Sequence, residues 1–257
     1  MDFIGRGNRV EETGMILFAA LALAVAVYRA RAVFFAQVAA DLEWRRERSL
    51  RERITNLLGR YVPETIAQEL IKDDKPLKPQ RGYGTVLVMD IAGFTAFSAR
   101  HAPEVVIETL DKFLADAARC VSESGGVAIS YLGDGFLVTF NAPMALDRPE
   151  EKAVNAAIEL LEVARTHGFG IRVGLASGDL VTGIIGGAAR QSFTVYGDAV
   201  NLAARLEAKC KELEVQILLD QATCGRIDAA VRLTEHAPVA VRGLDEKISV
   251  FSVSLDN

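Results

Sequence analysis

The order of apolar runs, helical stretches and glycine turns in this chain predicts an α+β fold. It reads as a ferredoxin-like β-α-β-β-α-β core with a carboxy-terminal extension, preceded by an amino-terminal helix. Three observations carry that expectation. From Thr85 onward, short apolar runs alternate with long amphipathic stretches. Two of the runs, VLVMDIAGFTAF at 86–97 and YLGDGFLVTF at 131–140, place an aspartate at a point where glycine turns the backbone. The glycines at 125–126 and 133–135 then divide the middle of the chain into a helix followed by a hairpin.

Taken in order, an apolar strand covers 85–91 and an amphipathic helix covers about 103–121. Two strands follow near 127–131 and 135–141, joined by the tight turn Gly133–Gly135, and a helix covers 148–166. Strands are expected at 170–176 and 180–185, a third helix from Asp198 to about Glu212, and strands at 215–219 and 247–254. Lys75–Gly84 (KPLKPQRGYG) reads as a linker into the first strand. Residues 41–59 carry Leu42, Leu50, Ile54 and Leu57 at roughly heptad spacing, which fits a short parallel coiled coil or a solvated surface helix. Three segments result: an apolar, membrane-associated helix at 1–40, a helical linker at 41–81 and an α+β domain at 82–257.

Composition narrows the function classes. Hydrophobic content of 50% with 25% charged residues describes a globular chain. A net charge of −5 argues against nucleic acid as a partner. The widely spaced Cys120, Cys210 and Cys224 form neither a disulfide framework nor a metal-ligand pattern, and suit a reducing compartment. Met15–Tyr28 (MILFAALALAVAVY) is uncharged but shorter than the roughly 20 residues that span a bilayer. It fits a helix in or on a membrane, with the arginines at 29, 31, 45, 46, 48, 51 and 53 on the cytoplasmic side of a bacterial-type inner membrane, or a helix buried in a dimer seam.

The chemistry rests on Asp90 and Asp134. A carboxylate at the end of an apolar strand is costly unless neutralised. A hard divalent cation carrying a triphosphate neutralises it, since Mg²⁺ takes one or two protein carboxylates together with phosphate oxygens. The small residues of Asp90-Ile91-Ala92-Gly93-Phe94-Thr95 let backbone N–H groups approach phosphate at a helix start. Further on, Asn201 and Arg205 stand four apart on a helix and share a face. That face suits either a ribose and a phosphate gaining charge, or a solvated surface.

The segments VLVMDIAGFTAFSA, GGVAISYLGDGFLVTFNAP, IRVGLASGDLVTGIIGG and FTVYGDAVNLAARLEA together resemble the successive signatures of the class III nucleotidyl cyclase catalytic domain, over about residues 82–254. Tyr61-Val62-Pro63 resembles a segment that often precedes that domain. The resemblance implies a homodimer with active sites across the subunit interface, acting on ATP or GTP, with two Mg²⁺ or Mn²⁺ ions per site. It implies that Asp90 and Asp134 hold metal together with the Ile91 carbonyl, and that the turn Ala92, Gly93, Phe94, Thr95 holds phosphate. Arg172 and Lys247 match polyphosphate contacts, Asn201 the ribose contact and Arg205 the transition-state contact from the partner. Thr194 matches an adenine-reading threonine of bacterial adenylyl cyclases. Ser130 departs from the family, where adenylyl cyclases carry lysine and guanylyl cyclases glutamate. A serine hydroxyl supplies neither lysine's reach nor its charge, which leaves base choice between ATP and GTP open. A nucleotide-binding module without turnover is the remaining alternative.

Overall fold

The computed structural model describes residues 78–187, 190–228, 231–240 and 247–254, together with the isolated positions Met15, Arg29 and Trp44. The chain divides into two compact units, Met1–Leu58 and Gly59–Asn257, and the folded elements below belong to the second. The expected apolar helix, the coiled coil, the Tyr61-Val62-Pro63 segment and most of the linker lie outside the described residues. Among the described residues no helix is long and apolar enough to cross a membrane.

The fold is α+β, as expected. Strand β1 (Gln80–Ile91) leads through a short helix α1 (Phe94–Ser98) to the long helix α2 (Pro103–Glu123). The hairpin β2 (Val127–Tyr131) and β3 (Phe136–Phe140) is followed by α3 (Pro149–Thr166) and β4 (Ile171–Gly187). Then come β5 (Arg190–Tyr196), α4 (Asp198–Leu213), β6 (Ile217–Asp220), α5 (Gln221–Cys224), β7 (Leu233–Val239) and β8 (Ile248–Val253). The sheet runs β2-β3-β1-β4-β6-β8-β7, with β5 paired to β4. Its first four strands are the β-α-β-β-α-β core and the rest is the extension.

Alternation along β1 and β4 sorts side chains to two faces. Leu87, Met89, Ile91, Val173 and Leu175 face one cluster, which Phe113 of α2 and Leu160 of α3 complete. Val86, Val88 and Ala176 face the other, against Ala199, Ala203 and Leu206 of α4. Even-numbered positions of both strands therefore look toward α4, which puts Asp90 and Arg172 on that side. Gly174 sets the spacing there: a Cβ on it would stand 2.0 Å from the Ala203 carbonyl oxygen and 2.4 Å from the Glu207 nitrogen. Helix α4 rests its backbone directly on β4.

Two expectations are corrected. Strands at 170–176 and 180–185 are one continuous strand of 17 residues. The Ala176-Ser177-Gly178 stretch, which resembles a turn, pairs in register with Val86, Thr85 and Gly84. The linker expected to reach Gly84 ends earlier, because β1 begins at Gln80. Gly84 permits a close strand approach, since a Cβ there would lie 2.6 Å from the Phe140 carbonyl oxygen. Strands β5 and β7 and helix α5 were not expected as elements; β7 (LTEHAPV) is half-exposed along its length and lacks alternation.

Candidate active site

Asp90 and Asp134 arrive from neighbouring strands. β1 pairs antiparallel with β3, with Met89 opposite Phe136. The turn that carries Asp134 folds against the end of β1: a Cβ on Gly135 would stand 2.0 Å from the Met89 carbonyl oxygen and 3.1 Å from the Asp90 Cα. Gly133 takes φ 78°, the left-handed region that favours glycine. Leu132 N–H donates to the Gly135 carbonyl at 2.8 Å and closes the turn. This packing sets the Asp134 carboxyl close enough to Asp90 to feel its charge. Burial first, and the neighbouring Asp90 charge after it, push the Asp134 carboxyl above its ordinary range.

Arg172 stands directly opposite Asp90 in the β1–β4 ladder. Its Nη2 donates to Asp90 Oδ2 at 2.8 Å and its Nε donates to Glu207 Oε1 at 2.9 Å. Arg172, expected at a polyphosphate, thus bridges two carboxylates. Glu207 was not singled out in the sequence. Its signal was its place on α4, four residues after the buried Ala203 and beside Leu206. Burial raises its carboxyl, and Arg172 pulls the other way.

The turn after Asp90 is tighter than expected. The Ala92 N–H, expected among the phosphate-holding groups of Ala92–Thr95, is committed instead to the Gly170 carbonyl at 2.8 Å. Gly93 caps α1 at φ 75°. Phe97 anchors α1 through an edge contact with Phe169, with ring centroids 5.4 Å apart. Ile91 is buried and pairs with Ile171 at the end of the ladder.

Asn201 and Arg205 lie elsewhere on the domain. They line a cleft with Ser177, Gly178, Asp179 and Asp198. Gly197 lets the start of α4 reach β4 there, since a Cβ on it would meet the Asp179 carbonyl oxygen at 2.4 Å. Ser177 is five residues along β4 from Arg172, about 17 Å in an extended strand. Arg205 and Glu207 are two residues apart on α4 and so project about 200° apart around its axis. Arg205 therefore points away from the arginine that touches Asp90.

The base-reading candidates sit on separate strands. Ser130 is exposed near the end of β2, just after a register shift between Ala128 and Ser130, and stands opposite Leu137. Thr194 is half-buried on β5 opposite Gly183, between the buried Phe193 and Val195. Lys247 is exposed just before β8. Because β8 runs antiparallel to β6, with Val250 opposite Asp220, Lys247 lies toward the Ser177 end of the sheet and not the Asp90 end.

The donor set at Asp90 and Asp134 fits a hard divalent cation: two neighbouring carboxylates, with oxygen donors only. Among the described residues no three His, Cys, Asp or Glu side chains form a complete protein cage. A pair of carboxylates that leaves coordination positions to phosphate and water is the arrangement Mg²⁺ favours.

The family model described as the adenylate and guanylate cyclase catalytic domain matches residues 78–254. The chain belongs to that family. An uncharacterized protein of Mycobacterium tuberculosis is 30% identical over 205 residues, covering 77% of this chain and 37% of that protein. The terminal-differentiation specific adenylate cyclase of Dictyostelium discoideum is 33% identical over 183 residues, covering 66% of this chain and 8% of that protein. The chain thus spans little more than a third of the mycobacterial relative and a small part of the other. Among solved structures, the adenylyl cyclase CyaB from P. aeruginosa shares the fold, with a TM-score of 0.65 at 24% identity over 70% of this chain and 98% of that one. The guanylate cyclase domain of RhGC from Catenaria anguillulae, solved with GTP, gives a TM-score of 0.63 at 24% identity over 70% of this chain and 100% of that one.

Proposed function

We propose that the chain is a purine nucleotide cyclase that converts ATP to 3′,5′-cyclic AMP and pyrophosphate, at sites shared across a homodimer. The observation that carries this reading is the close approach of the turn that bears Asp134 to the Asp90 end of β1, where a Cβ on Gly135 would stand 3.1 Å from the Asp90 Cα. These residues, with the Ile91 carbonyl, would hold two Mg²⁺ or Mn²⁺ ions. Ions bound there acidify the ribose 3′-hydroxyl and offset the charge of the leaving pyrophosphate. Gly93, Phe94 and Thr95 hold the triphosphate from one subunit. Asn201 of the other subunit orients the ribose, and Arg205 meets the charge that develops as the 3′ oxygen attacks the α-phosphorus in line. The separation of the Asn201/Arg205 cleft from Asp90 within one protomer supports a site completed by a second copy.

Thr194 supports ATP as substrate. GTP is the second reading, favoured by the serine at 130 and by a family that holds cyclases of both kinds. In this reading the uncharged run Met15–Tyr28 keeps the catalytic unit at a membrane, on the strength of sequence alone. Chromatographic identification of the product from ATP and GTP in competition, with Mg²⁺ or Mn²⁺, tests the assignment. Turnover should vanish in Asp90→Ala and Asp134→Ala. Nucleotide binding without any product from the wild-type protein would overturn the cyclase reading in favour of a binding module.

A further inference from the structure

We propose that Glu207 is a positioning residue: it holds Arg172 by Nε as a pivot, so that the guanidinium tip can exchange between Asp90 and the triphosphate that arrives with the cation. The inference rests on the cyclase reading of the same site and adds a part to it. Arg172 uses two different edges. Nε is fixed on Glu207 from α4, whereas Nη2 reaches Asp90 from β1. The side chains of Arg172 and Glu207 are 21% and 13% exposed, and Asp90 is the more open partner at 31%. The pivot end is thus the more enclosed, and the tip faces the open side.

Charge supplies the reason to move. Asp90 and Glu207 both pair with one guanidinium, and Asp134 adds a third carboxylate charge nearby. Among the described residues the ion pairs of this cluster run to Arg172, which caps one of the two carboxylates that would hold the metal. A divalent cation on Asp90 and Asp134 brings like charge up to the Nη2 group and weakens its hold on Asp90. A triphosphate accompanying that cation offers acceptors that match the planar fork of the guanidinium. Glu207 keeps Nε in place throughout, which spares the ordering of a long flexible side chain at the moment of binding. The closeness of Gly174 to α4 fixes this geometry, because it seats the Glu207 backbone over β4 two residues from Arg172.

The test is a double-substitution cycle with two readouts: Mn²⁺ affinity without nucleotide, followed by electron paramagnetic resonance, and the KM and kcat for ATP. Arg172→Gln should tighten Mn²⁺ binding about threefold by removing the competing cation, while raising the KM for ATP about tenfold. Glu207→Gln should weaken Mn²⁺ binding and raise the KM, because an unpivoted Arg172 settles on Asp90. In the Arg172→Gln background, and in Arg172→Lys, which keeps charge but has no Nε, adding Glu207→Gln should change neither quantity. Equal effects of Glu207→Gln in both backgrounds would overturn the pivot and assign Glu207 an independent charge effect. Unchanged or weaker Mn²⁺ binding in Arg172→Gln would equally sink it. If the wild-type protein binds Mn²⁺ but makes no cyclic nucleotide, the cyclase reading fails, and the Mn²⁺ half of the cycle still decides the pivot.

Discussion

Gly135 lies so close to Met89 that a Cβ on it would stand 2.0 Å from the Met89 carbonyl oxygen. This contact is what brings Asp134 to Asp90, since the turn can approach the end of β1 only where it carries no side chain. Gly135→Ala must therefore push the turn outward and part the carboxylates. It should cost about 1–3 kcal/mol of stability, in the range of an overpacked core site, and abolish both cyclase activity and the thermal stabilisation given by Mn²⁺. Gly133→Ala is the control: nothing lies within 4 Å of its Cβ position, and only its φ of 78° is strained. It should cost about 1–2 kcal/mol through backbone conformation alone and retain the Mn²⁺ response. Melting curves with and without Mn²⁺ separate the two, and a retained response in Gly135→Ala would detach the turn from the metal pair.

Arg205 turns away from Glu207 and the Asp90 end of its own protomer, which makes a sharp prediction about mixed dimers. Asp90→Ala and Arg205→Ala chains should each be inactive alone. Mixed in equal amounts and allowed to exchange, they should regain about a quarter of wild-type activity, because random pairing in a two-fold dimer leaves one site in four intact. Initial rates of the mixture, against each variant alone and with dimerisation confirmed by sedimentation, provide the check. No recovery in mixed dimers would place Arg205 on its own subunit's site or outside catalysis.

Much of this arrangement was legible in the sequence, for identifiable reasons. Asp90 and Asp134 announce themselves because a charge at the end of an apolar run is anomalous, and because Gly133 and Gly135 flank the second. The core order followed from periodicity. What could not be read depended on tertiary contact. Glu207 resembles any helix-surface glutamate until β4 brings Arg172 beneath it. The Ala92 N–H looked available for phosphate until the Gly170 carbonyl was placed across from it. Gly84 and Gly178, which mark turns in an isolated sequence, instead face one another inside a ladder. Gly84 allows close packing toward Phe140, a neighbour that is not visible in local sequence.

Ser130 sits exposed at the surface on β2, beyond a register shift. Ser130→Lys is therefore expected to fold normally and to add the reach and charge that a hydroxyl lacks. If this position reads the purine, the ratio of kcat/KM for ATP over GTP should rise by about tenfold or more, in line with discrimination built on hydrogen bonds to a base. Competition assays with both triphosphates measure the ratio directly. An unchanged ratio would move the selectivity element to Thr194 or to the partner subunit.

Asp220 closes the sequence of buried polar groups behind the Ser177 end of β4. Its Oδ1 accepts the Thr223 N–H at 2.9 Å and caps α5, while Thr223 and Ser177 hydroxyls lie 2.7 Å apart and Ser177 and Thr85 hydroxyls 2.9 Å apart. Burial raises the Asp220 carboxyl above its ordinary value, although the Thr223 and Ser177 donors pull it down. The folded state therefore binds this proton more tightly than the unfolded state. Its contribution to stability must fall as pH rises from the ordinary carboxylate range through the raised value, and stay constant beyond it. Asp220→Asn removes that dependence and Asp220→Ala in addition loses the cap, at about 1 kcal/mol. Urea unfolding across mildly acidic to neutral pH should show the stability of Asp220→Asn relative to wild type increasing with pH. A difference that runs the other way would mean that the hydrogen bonds received by the carboxylate outweigh the cost of burying its charge.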